Sequence, residues 1–568
     1  MSPPNPKMDQ INSGVYDQAP KDGQKGEYGD AIVKAVAGYK RREGLGDYQY
    51  GTAGFRMKED ILDHAMFTVG LLAGLRSRKL NGHTIGVMIT ASHNPPEDNG
   101  VKLVDPMGEM LEQDWEKFAR YLSNGKSAEQ TLNAWLWLLK ATNVDESKSA
   151  HVVFARDTRP SGARLIKALQ SAFEATGVKY TDHGLLTTPQ LHYLVRAINT
   201  QNTKHPYGEA SEEGYYKKLG DAFKRAMYGA RPNGSVTVDC ANGIGAPALK
   251  KMIKHLPSEK DGGITIRIVN DDTSTPENLN SKSGADFVKT QQQVPRNFTG
   301  EPYDRWASFD GDADRVVYYF NKEGSMFKLL DGDRIATLAA AFLGELVAKS
   351  GLAAKITIGV VQTAYANGAS SKYVAQVLDL KSEFTPTGVK HLHHAATRYD
   401  IGVYFEANGH GTVLFSDKTL REIHTHEANS PAQLESLETL RAVTDLINQT
   451  VGDAISDLLL VEVVLAHKEF TVREWLATYT DLPNRLGKVK VADRNQYTTV
   501  PGTAEQKLAS PVGLQEKIDA EVAKYRDGRC FVRASGTEDA VRVYCEAAEA
   551  LEVENMVQAV SQLVGSQG

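Results

Sequence analysis

Short runs of β-branched and aliphatic residues recur along the chain, each giving way to a turn rich in Gly, Pro or polar residues and then to an amphipathic stretch. The clearest are Thr84–Thr90 (TIGVMIT), His151–Ala155 (HVVFA), Ser235–Asp239 (SVTVD), Ile356–Val361 (ITIGVV) and Ile401–Phe405 (IGVYF). Apolar runs this short, bounded by turn residues, predict strands buried on both faces, and their alternation with helical periodicity predicts α/β units. Three units share a plan in which a strand-like run feeds a compact polar loop: TASHNP (Thr90–Pro95), DGDADR (Asp310–Arg315) and EANGHG (Glu406–Gly411). Loops at strand C-terminal ends are where open α/β sheets place ligands. Towards the C-terminus the pattern changes to a smaller α+β unit ending in a hairpin-like stretch, Arg529–Ala547 (RCFVRASGTEDAVRVYCEA).

The chain has 568 residues, too many for one hydrophobic core. Polar, Gly-containing segments near residues 199–208, 321–325 and 450–457 divide it into expected domains 1–200, 201–322, 323–455 and 456–568. Lys and Arg number 65 against 71 Asp and Glu, a net charge of −6 without basic blocks, so nucleic acid is a poor partner. The longest apolar runs, Leu458–Ala466 and Ile335–Val347, are too short or too polar to span a bilayer, which makes a membrane partner equally poor. Three cysteines, Cys240, Cys530 and Cys545, are too few to staple the chain and have no CxxC spacing, which fits a reducing compartment. The first residues (MSPPNPKMDQINSGVYDQAPKDGQ) lack the apolar stretch of a secretory signal, so a cytoplasmic protein is expected.

The polar loops carry the candidate chemistry. Asp310, Asp312 and Asp314, at alternate positions in one tight turn, repel one another unless a hard divalent cation sits among them. An EF-hand is excluded because its sixth and twelfth positions, normally Gly and Glu, hold Arg315 and Asn321. Ser92 follows a strand and precedes a Pro-stiffened loop, which makes it a candidate nucleophile; its flanks do not form a GxSxG elbow, and its neighbour His93 reads as a substrate or phosphate contact rather than as its base. Arg533, Ser535, Gly536, Thr537 and Arg542 combine guanidinium forks with small residues suited to a phosphate dianion. Glu406 and Asn408 are spaced to grip vicinal sugar hydroxyls. His391, His393 and His394 read as packing or a helix end, since only His391 and His394 share a helical face. Taken singly, each polar loop also reads as an ordinary turn.

Taken in order, these loops resemble the phosphoserine, metal, sugar and phosphate loops of the α-D-phosphohexomutase superfamily, from GTAGFR at Gly51 to Arg542. EANGHG, together with TPTGVKHLHH (Thr385–His394) and VQTAYANGAS (Val361–Ser370), is similar to the branch acting on N-acetylglucosamine phosphates rather than to the glucose and mannose branches, with their GExSG-type loop. The resemblance implies three similar α/β domains and a smaller C-terminal α+β domain around a central cleft. It further implies interconversion of N-acetylglucosamine 6-phosphate and 1-phosphate on the route to UDP-N-acetylglucosamine, with Mg²⁺ and a hexose 1,6-bisphosphate activator. By the same resemblance, Ser92 is a phosphoserine completing a metal site with Asp310, Asp312 and Asp314. Lys102 and Arg56 flank the transferring group, with Lys102 a general acid/base if burial and nearby cations lower its pKa. Thr387, Gly388, Glu406, Ala407 and Asn408 face the sugar, and Arg533, Ala534, Ser535, Gly536, Thr537 and Arg542 hold the distal phosphate. Ala534 stands where many members have Pro. Rival activities are a glucose or mannose phosphate mutase and a metal-dependent phosphatase.

Overall fold

A computed structural model describes residues 25–535 and 539–566. The N-terminal stretch read above for targeting, and Gly536 and Thr537 of the phosphate loop, lie outside the described residues. Among the described residues nineteen strands, with helices between them, form four principal sheets and a small ribbon. The first sheet contains β1 (Phe55–Lys58), β2 (Ile85–Ile89), β3 (Asp98–Val104), β4 (His151–Arg156) and β5 (Lys179–Leu185), in the order β1-β3-β2-β4-β5. The second contains β6 (Ser235–Asp239), β7 (Thr265–Val269), β8 (Arg305–Phe309), β9 (Val316–Lys322) and β10 (Met326–Leu330), ordered β10-β9-β8-β6-β7. The third, β12-β11-β13-β14, is built from β11 (Ile358–Thr363), β12 (Lys381–Thr385), β13 (Ile401–Phe405) and β14 (Gly411–Phe415). A C-terminal sheet, β15-β19-β18, joins β15 (Asn484–Lys490), β18 (Arg529–Ala534) and β19 (Ala540–Glu546), beside a ribbon of β16 (Thr498–Thr499) and β17 (Leu508–Ser510).

The central strands β2, β8, β11 and β13 are buried at every position, as expected for apolar runs covered on both faces. One topological device recurs in the first three sheets: a strand with a parallel neighbour ends, turns through a polar loop and returns as an antiparallel partner. The pairs are β2/β3, β8/β9 and β13/β14. These turns contain TASHNP, DGDADR and EANGHG. In the C-terminal sheet the equivalent turn joins β18 to β19.

Two of the expected domain cuts fall inside structural units. The second sheet runs on through β10, which pairs antiparallel with β9, so it ends at Leu330 and not at residue 322. The helix Ala454–Lys468 packs on the helices Glu212–Met227 and Gly332–Lys349, and so lies with the second and third sheets rather than with the C-terminal unit. Its almost wholly buried surface reflects that position. One face of the first sheet packs in a core of its own, while its other face, through Met88, Val104, Val153 and Ala155, joins the core shared by the second and third sheets; the C-terminal sheet has a separate core. All three cysteines are free and buried; Cys530 and Cys545 sit opposite each other on β18 and β19. No helix among the described residues is long and apolar enough to cross a membrane.

Candidate active site

The DGDADR turn is the hub on which the other units dock. Thr188 N–H donates to the Asp312 carbonyl (3.2 Å), Ala454 N–H to Ala313 (3.0 Å) and Val316 N–H to the Gly409 carbonyl (3.2 Å). A Cβ at Gly311 would stand 2.5 Å from the Ser92 carbonyl oxygen, so only glycine lets the two turns approach this closely. Gly409 is constrained similarly, at φ +88° and with the Val316 carbonyl oxygen 2.0 Å from where a Cβ would stand.

Ser92 is fully buried and adopts φ +50°, an unusual conformation for a residue with a side chain. The surroundings hold it there. Its N–H donates to Thr90 Oγ1 (2.9 Å), whose hydroxyl donates to Asp157 Oδ2 (2.7 Å). Its carbonyl accepts from Arg159 Nη2 and Asn280 Nδ2, both at 2.9 Å. Arg159 also donates to the carbonyls of Asn94 (2.8 Å), Pro95 (2.6 Å) and Asp98 (2.9 Å), and is ion-paired with Asp157 at 3.0 Å. The serine hydroxyl donates to Asp310 Oδ2 at 2.5 Å, across the boundary between the first two units.

Carboxylate oxygens of Asp310, Asp312 and Asp314 lie within 4.8 Å of one another, and all three residues are buried. Asp310 Oδ1 accepts the N–H groups of Asp314 (3.1 Å) and Arg315 (3.2 Å), while Asp312 Oδ2 accepts the Thr188 hydroxyl (2.6 Å). Asp312 Oδ1 and Asp314 Oδ1 are buried without a hydrogen-bond partner among the described residues. Two orphaned carboxylate oxygens beside a third buried carboxylate are costly in a dry interior, and a hard, oxygen-seeking divalent cation satisfies them. The donor set therefore fits magnesium. Burial, together with Asp314 and Asp312, pushes the Asp310 carboxyl well up. At Asp314 burial is outweighed by His410, Lys102 and Arg315, which hold the carboxyl well below the usual range.

Lys102, on β3, places its Nζ 3.6 Å from Asp312 and 3.5 Å from Asp314. His93 Nδ1 lies 3.0 Å from Asp286 and 3.4 Å from Ser92 Oγ. Burial and the neighbouring Arg315 hold the imidazole down to about 4, so it is neutral at physiological pH. Arg315 is in turn fixed by two 3.0 Å bonds to Asp286. Arg56 on β1 leaves its Nε buried without a hydrogen-bond partner among the described residues.

A cavity of about 160 Å³ opens among these groups, lined by Arg56, Lys102, His192, Asp314, Gly388 and Glu406 among others. The TASHNP and EANGHG turns both meet the DGDADR turn, through the Ser92 hydroxyl on Asp310 and Val316 N–H on the Gly409 carbonyl. The Asn408 side chain is engaged within its own loop, donating to Glu406 Oε2 (3.4 Å) and accepting from His410 N–H (2.9 Å). The Ala407 carbonyl accepts from Gly332 N–H at 3.5 Å. His393 bonds the Tyr404 hydroxyl at 3.0 Å and takes the packing role expected of it. On the C-terminal sheet Arg533 and Arg542 are directly opposed across β18 and β19, and Ser535 N–H closes the turn onto the Ala540 carbonyl (2.8 Å). Like charges facing each other on one sheet face destabilise it unless an anion joins them. Glu505 bridges the two ends of the cleft: its Oε2 accepts Thr387 N–H at 2.9 Å and lies 3.0 Å from Arg533 Nε.

Sequence reasoning missed Asp157, Arg159, Thr188, His192, Asn280, His410 and Glu505. The pair Asp157 and Arg159 was detectable, because RDTRP follows the strand HVVFA in the same strand-to-polar-loop plan as the other three turns. The others act through tertiary contacts that leave no local pattern.

Family models for domains II and III of phosphoacetylglucosamine mutase AMG1 match residues 209–317 and 331–470. Models for phosphoglucomutase/phosphomannomutase match two further stretches: the C-terminal domain at 486–563, and the alpha/beta/alpha domain I at 72–129 and 120–203. Fold and site together define a member of the α-D-phosphohexomutase superfamily. The chain is 48% identical over 532 residues to phosphoacetylglucosamine mutase of Candida albicans, covering 91% of this chain and 96% of that one. It is 47% identical over 547 residues to the Homo sapiens enzyme, covering 95% and 98%. The crystal structure of Aspergillus fumigatus N-acetylphosphoglucosamine mutase in complex with GlcNAc-6P and magnesium superposes with a TM-score of 0.92 at 56% identity, covering 95% of this chain and 99% of that chain. Within the superfamily, the chain belongs to the phosphoacetylglucosamine mutase family.

Proposed function

We propose that this protein interconverts N-acetylglucosamine 6-phosphate and N-acetylglucosamine 1-phosphate through a phosphorylated Ser92 and a 1,6-bisphosphate intermediate, on the route to UDP-N-acetylglucosamine. The observation that carries this reading is the 2.5 Å contact between the buried Ser92 hydroxyl and Asp310, one of three clustered carboxylates. The relatives' complexes with GlcNAc-6P and magnesium, and with glucose 1,6-bisphosphate in a serine-to-alanine variant, support the substrate class, the metal and the bisphosphate activator.

Asp310, Asp312 and Asp314 would hold magnesium, which when bound would supply charge neutralisation at the phosphoryl group. Arg159 and Asn280 fix the serine turn, so Oγ is presented at one place. Arg56 and Lys102 flank the cavity as cations for the equatorial phosphoryl oxygens, and neutral His93 offers a hydrogen bond beside Ser92. The sugar 1-hydroxyl attacks phosphorus as the bond to Ser92 Oγ breaks, and the proton of that hydroxyl passes by way of a base within the cavity to the departing serine oxygen. After the bisphosphate turns round, Ser92 Oγ attacks the 6-phosphoryl group, and its proton passes by the same base to the departing sugar 6-oxygen. Glu406, oriented by Asn408, and the Thr387–Gly388 turn face the sugar, while Arg533, Arg542 and the turn between them hold the distal phosphate. The three free cysteines agree with a cytoplasmic enzyme.

Ser92→Ala tests the assignment: turnover should fall by at least about a thousandfold with the thermal transition unchanged. Near-parental activity in that variant would remove the phosphoserine from the mechanism.

A further inference from the structure

The bisphosphate intermediate has to leave the distal phosphate site, turn and re-enter it. Arg533 must therefore lose and regain a dianion in each turnover, and withdrawing the anion from a largely desolvated guanidinium is costly. Glu505 stands where a substitute anion is needed. Its carboxylate lies 3.0 Å from Arg533 Nε, with the two side chains 21% and 27% exposed. The same oxygen accepts the N–H of Thr387 at 2.9 Å, so the contact joins the phosphate end of the cleft to its sugar end.

The backbone is committed to this placement. Glu505 sits on the loop between β16 and β17, closed by Val500 N–H on the Lys507 carbonyl (2.9 Å), with Ala504 and Glu505 both at positive φ, +50° and +63°. Consecutive residues with side chains in that region are strained, and such strain persists only where surrounding contacts hold it. Ala504 is buried, which anchors the loop from below, while Glu505 reaches across to the third unit.

We propose that Glu505 is a positioning residue that replaces the distal phosphate on Arg533 whenever that phosphate leaves, and so eases the reorientation of the bisphosphate. The proposal rests on the reading of Arg533 as the distal phosphate site. It predicts that Glu505 competes with phosphate: removing its charge makes the phosphate bind more tightly and the intermediate turn more slowly.

The test uses the full-length enzyme with magnesium, and inorganic phosphate as the competing probe. Glu505→Gln keeps an oxygen for Thr387 N–H and removes only the charge. It should lower the inhibition constant of phosphate and the KM for the sugar phosphate by about three- to tenfold, the scale of one partly exposed ion pair, and lower kcat at the same time. Glu505→Asp, which keeps the charge, should restore part of kcat. A raised KM with kcat unchanged, or no change in either constant, would overturn the proposal. Arg533→Ala serves as the control for the site itself. If it weakens phosphate inhibition while Glu505→Gln fails to strengthen it, only the role of Glu505 is lost; if it leaves phosphate inhibition unchanged, the distal site is elsewhere and both readings fall.

Discussion

Replacing Arg159 by methionine should damage both stability and turnover, in a way that depends on pH. The guanidinium donates to four carbonyls of the Ser92 turn, at residues 92, 94, 95 and 98, and is paired with Asp157 where both side chains are essentially unexposed. Removing one partner of a buried pair leaves the other charge unpaired, which costs about 3–5 kcal/mol. For a unit the size of the first α/β domain this corresponds to a fall in Tm of roughly 10 °C. Burial already pushes the Asp157 carboxyl up against the pull of Arg159, and without Arg159 it is pushed further. A carboxyl raised above its unfolded value favours the fold while protonated and loses that contribution as pH rises through the folded value. The damage in Arg159→Met should therefore be greater at about pH 8 than at about pH 5.5, and Asp157→Asn should relieve part of it. Unfolding followed by tryptophan fluorescence reads the affected unit, which contains Trp115, Trp135 and Trp137. Turnover should fall by about a hundredfold as the serine turn loses its position. A variant with unchanged Tm at both pH values and full turnover would refute the view that Arg159 holds the nucleophile in place.

Two further perturbations follow from the buried carboxylates. Chelation of magnesium should abolish turnover reversibly, and readdition at about a hundred times its dissociation constant should stabilise the fold by about 2.7 kcal/mol, read as a rise in Tm; activity that survives chelation would contradict the metal assignment. Asp333, whose Oδ2 accepts Asn367 N–H at 3.1 Å, is pushed up to about 8 by burial and by Asp331. Its contribution to stability is present at acid pH and lost as pH rises through about 8, so Asp333→Asn should raise Tm more at about pH 9 than at about pH 6, and an equal effect at the two pH values would refute this.

Much of this site was legible because its chemistry is concentrated in short turns after apolar strands. TIGVMIT, HVVFA, SVTVD and IGVYF coincide with β2, β4, β6 and β13 to within a residue, since burial on both faces imposes an unbroken apolar run. The opposition of Arg533 and Arg542 follows from the register of one hairpin. The contacts that hold these turns in place were not legible. Asn280 reaches Ser92 from the second unit, and Glu505 reaches Thr387 from the fourth, each as a single residue in an undistinguished loop. The cut expected near residue 322 failed for a related reason: the Gly-containing turn before β10 reads as a linker, yet it is the tight turn of a hairpin that continues the same sheet.

The most direct test of the central claim is phosphorus NMR of the purified protein with magnesium, a trace of hexose 1,6-bisphosphate and either N-acetylglucosamine 6-phosphate or glucose 6-phosphate. The account predicts that the 1-phosphate signal grows without inorganic phosphate, and faster from the acetamido sugar. Faster conversion of glucose 6-phosphate would contradict the substrate assignment, and release of inorganic phosphate or no reaction would contradict the mutase activity itself.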